Sequence, residues 1–206
     1  NNITVGVVWA RASGGGPFAS VDRVRTADDK AQSLFDNCFK ILNGPDAPTL
    51  SVIELDRELV LTVSNPLGSN NYNETYEELD PTIPEDAPDR YYRFQGYEIY
   101  QLRDSKVSVA DLRDAAGNID PDVARIVAVV DLKDGVTQLV NYNYSDVMGL
   151  PVPTLMVAGP DEGVAHSFRV TEDKFSGTGD PRLVNFKTYY FLALAYGYNN
   201  YAPYNA

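Results

Sequence analysis

The sequence predicts a mainly β chain folded as a β-sandwich, and two tyrosine-rich runs carry that prediction. Lys187-Thr188-Tyr189-Tyr190-Phe191-Leu192-Ala193-Leu194-Ala195-Tyr196-Gly197-Tyr198 is dense in aromatic and aliphatic residues and holds no acid. It follows the turn-rich Ser176-Gly177-Thr178-Gly179-Asp180-Pro181, the pattern of a strand buried on at least one face. In residues 91–102, Tyr92, Phe94 and Gly96 share one parity and Tyr97 and Ile99 the other, with Gly96 placed to mark a bulge. Shorter aliphatic runs are left to supply the opposite layer.

With 206 residues the chain can bury a full core, as one large domain or one domain plus a small appendage. The net charge of -12, with no Lys/Arg cluster to offset it, argues against nucleic acid as a partner. Cys38 is the single cysteine, so no intrachain disulfide can form. No apolar run approaches the roughly 20 residues of a membrane span. The chain opens Asn1-Asn2-Ile3-Thr4-Val5 without a methionine, which reads as a piece of a longer polypeptide.

Taken in order, residues 3–10 are rich in β-branched side chains, include Trp9 and suggest a strand, broken by Ser13-Gly14-Gly15-Gly16-Pro17. A helix follows, with Thr26 as N-cap and Asp28 and Asp29 in its first turn. Ala31, Leu34, Phe35, Cys38, Phe39 and Leu42 recur on one face, and Asn43-Gly44-Pro45 stops it. Cys38 on that stripe reads as a packing residue. Residues 1–45 are therefore expected to be a strand-helix segment closing a preceding domain. The proline-bounded Pro45-Asp46-Ala47-Pro48 links it to the sandwich of residues 46–206.

In that sandwich two short strands are expected to pair around Asp56-Arg57, and residues 66–89 form a long loop. Ser108 caps a helical turn, and residues 125–131 form a strand ended at Lys133-Asp134-Gly135. Residues 136–144 read as extended or mixed, the prolines Pro151, Pro153 and Pro160 predict an irregular stretch, and Val164, His166, Phe168 and Val170 then alternate on one face.

Pro48 before paired strands, Phe94-Gln95-Gly96-Tyr97-Glu98-Ile99-Tyr100, residues 125–131 and Lys187-Thr188-Tyr189-Tyr190-Phe191-Leu192-Ala193 together resemble strands A, B, C, C′ and F of a fibronectin type III or immunoglobulin-like sandwich. In wording they look most like modules of large secreted or cell-surface proteins of Bacteroidetes-type bacteria, substrates of type IX secretion. The resemblance covers roughly residues 46–201. It implies a non-enzymatic extracellular module acting in adhesion, spacing or assembly, with neighbouring domains or other copies of surface proteins as partners through edge strands. Three departures stand out. The strand-B tryptophan is absent, loops 66–89 and 143–182 are expanded, and a closing strand G is missing or very short.

The acidic loop carrying Asn71, Asn73, Glu77, Glu78 and Asp80 offers the carboxylates, amides and carbonyls that calcium takes, without the spacing of an EF-hand. The other reading is a solvated loop that keeps the surface soluble. No cofactor is otherwise required. Tyr196, Tyr198, Tyr201 and Tyr204 cluster at the end of the chain and could stack on sugar rings, which makes a carbohydrate-binding accessory module the alternative function. Catalytic sets do not assemble. His166 is the sole histidine, there is no Gly-x-Ser-x-Gly elbow, and the adjacent Glu77 and Glu78 would point apart.

Overall fold

The computed structural model describes residues 7, 9–12, 16, 18–36, 42–114, 117–145, 148, 150–177 and 179–201. In chain order these form α1 (Ala19–Asp36), β1 (Thr49–Leu55), β2 (Glu58–Ser64), β3 (Glu77–Leu79), β4 (Tyr91–Leu102), β5 (Ala124–Asp131), β6 (Gln138–Ser145), β7 (Leu150–Ala158), β8 (Ser167–Val170) and β9 (Tyr190–Tyr198). All strand pairs are antiparallel, and the chain is mainly β, as expected.

The two tyrosine-rich runs lie side by side in one sheet. β9 follows β4 from Arg93↔Tyr198 to Leu102↔Tyr190. On the other side of β4, β3 pairs with its first residues and β5 with the remainder, from Gly96↔Asp131 to Leu102↔Ala124. The second sheet has the order β1-β2-β8, and its β1-β2 hairpin turns at Asp56-Arg57 as the sequence predicts.

The register of β4 against β9 shifts between Phe94 and Gly96, so the glycine does mark a bulge. That shift turns Phe94, Tyr97 and Ile99 to a common side despite their mixed parity. There they join Leu61 and Val63 of β2, Val170 of β8 and Ala193 of β9 in one buried cluster. Both sheets contribute to it, which makes the pair a sandwich. The Phe94 and Tyr97 rings meet at 4.9 Å in a tilted arrangement. Leu61, Tyr97 and Ile99 are fully buried, each contributing about 1.5–3 kcal/mol by removal from water.

The alternate residues of β4 and β9 feed a second cluster on the opposite face of their sheet. Tyr100, Leu102, Leu112 and Ala124 pack there with Tyr190, Leu192 and Leu194. Leu112 is set by a single 3₁₀ turn, Val109–Asp111, preceded by Ser108. The Asp111 carboxylate accepts from both the Ser108 backbone N–H and its hydroxyl, the cap expected from the sequence. Arg113 ties this loop to the β6-β7 hairpin by donating to the Gly117 carbonyl at 2.8 Å and the Met156 carbonyl at 2.9 Å.

Several expectations are corrected. The helix begins at Ala19 with Asp22 in its first turn, not at a Thr26 cap. Residues 19–36 contain no glycine or proline to stop it earlier. Of its expected buried face, Ala31 and Leu42 are half-buried and Phe35 is 58% exposed. Cys38 and Phe39 lie outside the described residues. Val7, Trp9 and Ala10 belong to no strand, and the rest of the expected N-terminal strand, apart from those three, lies outside the described residues.

Loop 66–89 is built rather than loose, because it contains a 3₁₀ turn, Tyr72–Glu74, and β3. The segment 143–182 holds the end of β6 and all of β7 and β8. Pro151 and Pro153 sit inside β7 because that strand pairs only with β6 among the described residues, and an edge strand has amide positions to spare. The linker is held too. Asp46 and Asn70 exchange two backbone-to-side-chain hydrogen bonds at 2.7 and 2.8 Å, and the Tyr76 hydroxyl donates to the Asn43 carbonyl.

A Cβ added at Gly96 would stand 2.1 Å from the Val130 carbonyl oxygen and 2.9 Å from the Asp131 Cα. Backbone atoms on a paired strand cannot move aside. Gly96→Ala is therefore expected to cost about 1–3 kcal/mol, read as a lower urea midpoint at unchanged m-value. An unaltered midpoint would show that the bulge is not fixed as described.

Candidate functional site at the open edge of the sandwich

Among the described residues, β9 pairs only with β4 and β1 only with β2. These two unshared edges approach each other, with Cα atoms of β1 within 8 Å of β9. A cleft of about 640 Å³ opens there, lined by Val52, Leu59, Leu183, Tyr189 and Phe191 among others, and by no residue of β4. Glu54, Asp56 and Glu58 stand on its walls, with Arg57 and Lys187.

The register explains how Val52 comes to face the cleft. Val52 lies directly across from Leu61 on the same face of the β1-β2 pair. Leu61 is fully buried, whereas Val52 is 48% exposed and lines the cleft. Ile53, Leu55 and Val184 are exposed as well, and Phe186 wholly so. Phe186 also holds a positive φ of 64°, a conformation that costs a non-glycine residue on the order of 1 kcal/mol.

The floor is pinned from two sides. The Asn185 side chain accepts from the Arg57 N–H at 2.8 Å and donates to Asp56 Oδ1 at 2.7 Å. It thereby clamps the β1-β2 turn to the 183–188 segment. The Tyr189 hydroxyl accepts from the Val184 N–H at 2.8 Å. Behind it, Asp173 is buried and accepts from Gln101 Nε2 at 2.7 Å, the Phe175 N–H at 2.9 Å and Lys187 Nζ. Burial alone would raise the Asp173 pKa, but these donors outweigh it and hold the carboxyl below its ordinary value.

The five residues expected to bind calcium have protein surroundings of different kinds. Asn71 is buried, and its Oδ1 accepts from the Tyr76 N–H at 3.3 Å. Asn73 is exposed at φ 56°. Glu77 accepts from Arg93 Nε at 2.9 Å, and Glu78 is its neighbour on the opposite face of β3. Asp80 Oδ1 takes the Thr82 N–H and hydroxyl at 2.8 and 2.7 Å. Among the described residues, no group of three or more His, Cys, Asp or Glu is placed to hold a metal ion.

The residue that sequence reasoning passed over in this loop is Glu74. Its Oε1 accepts from the Tyr97 hydroxyl at 3.1 Å and meets His166 Nε2. Tyr97 in turn accepts from Asn65 Nδ2 at 2.6 Å, and burial pushes its phenol up to about 12. The loop is thus stitched to the core by hydrogen bonds.

Of the expected tyrosine platform, Tyr196 and Tyr198 are half-buried and Tyr201 is exposed. Tyr196 lies over Gly96, and burial together with the Asp131 and Glu98 charges raises its phenol pKa. The Tyr198 hydroxyl donates to Asn200 Oδ1 at 2.7 Å, and the Tyr201 N–H donates to Asn199 Oδ1 at 2.6 Å. Tyr204 lies outside the described residues. The cleft residues Val52, Asn185, Phe186 and Phe191 were not anticipated. The only sequence signal for them is that residues 49–55 carry apolar side chains on both parities. No known protein family, curated protein or solved structure matches the chain.

Asp173 gives this region a pH signature. Its folded pKa is depressed, so its contribution is complete above the unfolded value of about 3.9 and is lost as pH falls through the folded value. Asp173→Ala leaves Gln101 and the Phe175 N–H without their acceptor and should destabilise at pH 7 by about 2 kcal/mol. Equal urea midpoints for mutant and wild type at pH 7 would remove Asp173 as the anchor of the cleft floor. A difference that narrows as the pH is lowered below about 4 is the expected result.

Proposed function

We propose that the chain is a non-enzymatic structural and interaction module of the fibronectin type III-like class, belonging to a large bacterial surface protein. It acts outside the cell in adhesion, spacing or assembly through strand and sheet contacts. The strand orders support the class: β1-β2-β8 corresponds to A-B-E of such sandwiches and β5-β4-β9 to C′-C-F. The observation that carries the function is the position beside β9, where a strand G would run. Among the described residues no strand pairs there, and the cleft opens at the Phe191 end of that edge. A row of backbone groups unshared among the described residues, ending at a groove of mixed apolar and charged lining, is the geometry of strand addition, in which main-chain hydrogen bonds give affinity and the groove gives selectivity.

The test is fluorescence polarisation with a panel of labelled eight- to ten-residue peptides of alternating apolar and polar residues. Some are expected to bind, and Val52→Lys, which puts a charge on the cleft wall, should weaken them at least tenfold. Binding untouched by that substitution would place it elsewhere. A glycan array probes the other reading: sugar binding lost on Tyr198→Ala, with no peptide bound, would make this a carbohydrate-binding module instead. For calcium in the acidic loop, the readout is the melting temperature with and without EDTA, and an unmoved midpoint removes the ion.

A further inference from the structure

We propose that the strand which fills the β9 edge is residues 3–10 of a second copy of this chain, laid antiparallel along β9 so that its Trp9 end reaches the cleft beside Phe191. This rests on the reading of that edge as a docking surface, and it names the partner. Residues 3–10 read Ile-Thr-Val-Gly-Val-Val-Trp-Ala. Ile3, Val5, Val7 and Trp9 fall on one parity, and Thr4, Gly6, Val8 and Ala10 on the other. A strand built this way has one large apolar face to bury and one small face to leave outside.

The described part of this segment has no buried place in its own chain. Val7 is 78% exposed and Trp9 89%, and neither lines the cleft. The Ala12 N–H is meanwhile held by Ser20 Oγ at 3.2 Å, which fixes the end of the segment on α1. Exposed apolar side chains at Val7 and Trp9 and a β9 edge with no second strand among the described residues therefore coexist in one molecule, and a neighbouring copy satisfies both.

Length and charge agree with that occupant. Eight extended residues span roughly 26 Å at about 3.3 Å each, close to the reach of the nine-residue β9. The segment contains no proline, so each of its amides can donate, and no charged side chain until Arg11. Its Arg11 end lies beside Glu54, Asp56 and Glu58, three carboxylates against the two cations Arg57 and Lys187 on the same walls, so the balance there favours an incoming cation over an acidic strand. Because donor and acceptor are different surfaces of the same chain, the contact is head-to-tail and propagates into open oligomers unless it is capped.

Trp9 is the only tryptophan, so its emission reports the segment directly. As the full chain is concentrated, mass by light scattering should rise while Trp9 emission moves to the blue and acrylamide quenching falls. Val52→Lys keeps the donor and spoils the cleft; Trp9→Glu does the reverse. Each alone should stay monomeric, and their mixture should form one-to-one dimers and stop there. A synthetic peptide of residues 1–11 added in excess should break wild-type oligomers, an arm that needs no variant to fold.

A chain that stays monomeric at every concentration with Trp9 emission unchanged overturns the inference. So does oligomerisation that leaves Trp9 quenchable. If Val52→Lys alters Trp9 emission at a dilution where the wild type is monomeric, the segment occupies its own cleft and the second-copy assignment fails. Should other strand peptides bind the edge while peptide 1–11 does not, the docking surface stands and only its occupant is wrong.

Discussion

β4 has to share its backbone with strands on both sides while its side chains feed two separate cores, and everything else is arranged around that double demand. Strict alternation cannot deliver Phe94, Tyr97 and Ile99 to one face and Tyr100 and Leu102 to the other. The register shift before Gly96 resolves this, since a slip of one residue transfers every later side chain to the opposite face. The absence of a Cβ at Gly96 is what lets the Val130 carbonyl and the Tyr196 hydroxyl close over that point. Both hydrophobic clusters therefore depend on one local irregularity in one strand.

The acidic composition has a structural use that is separate from ion binding. Asp80, Asp89, Asp104, Asp120, Asp134, Asp173 and Asp180 each accept the backbone N–H of the residue two positions on. This is turn chemistry, in which a short carboxylate closes a reversal of the chain that would otherwise leave its amide to solvent. Oxygen-rich loops look the same in a sequence whether their oxygens face a cation or a neighbouring amide, so composition alone could not separate the two. Where carboxylates are buried they are answered individually. Asp131 accepts from the Asp161 N–H at 2.8 Å. Burial raises the Glu98 pKa, and Tyr100 and Arg113 partly oppose it.

The strands that were legible are those whose signal is local. Alternation in residues 91–102, the Asp56-Arg57 reversal and the run ending at Tyr198 each contain their own evidence, and β4, the β1-β2 hairpin and β9 match them closely. The start of α1 was misplaced because Thr26 satisfies the local rule for a cap while nothing in the preceding residues opposes a helix. β7 was missed because prolines argue against a strand unless its edge position is known, and that is a property of the assembled sheet. The cleft was illegible for a related reason: Asn185 and Asp56 are joined by a hydrogen bond across well over half the chain. The sequence could anticipate an uncovered edge, but not the residues that shape the ground beside it.

Edges are where a sandwich is most exposed to unwanted pairing, and proteins commonly guard them with charges, prolines or very short strands. This chain has the means, with 29 acidic and 17 basic residues, yet β9 carries no charged residue and no proline over nine positions. β1 has only Glu54. β8 is treated differently, being four residues long and carrying Arg169 in a two-pronged contact with Glu58. The guard is therefore applied selectively within one fold, strong on β8, reduced to Glu54 on β1 and absent from β9. A merely solvated edge has no reason to be spared charge in a chain this acidic. On the proposed reading of β9 as a docking edge the sparing has a use, because every charge placed along it would have to be desolvated when the incoming strand arrives.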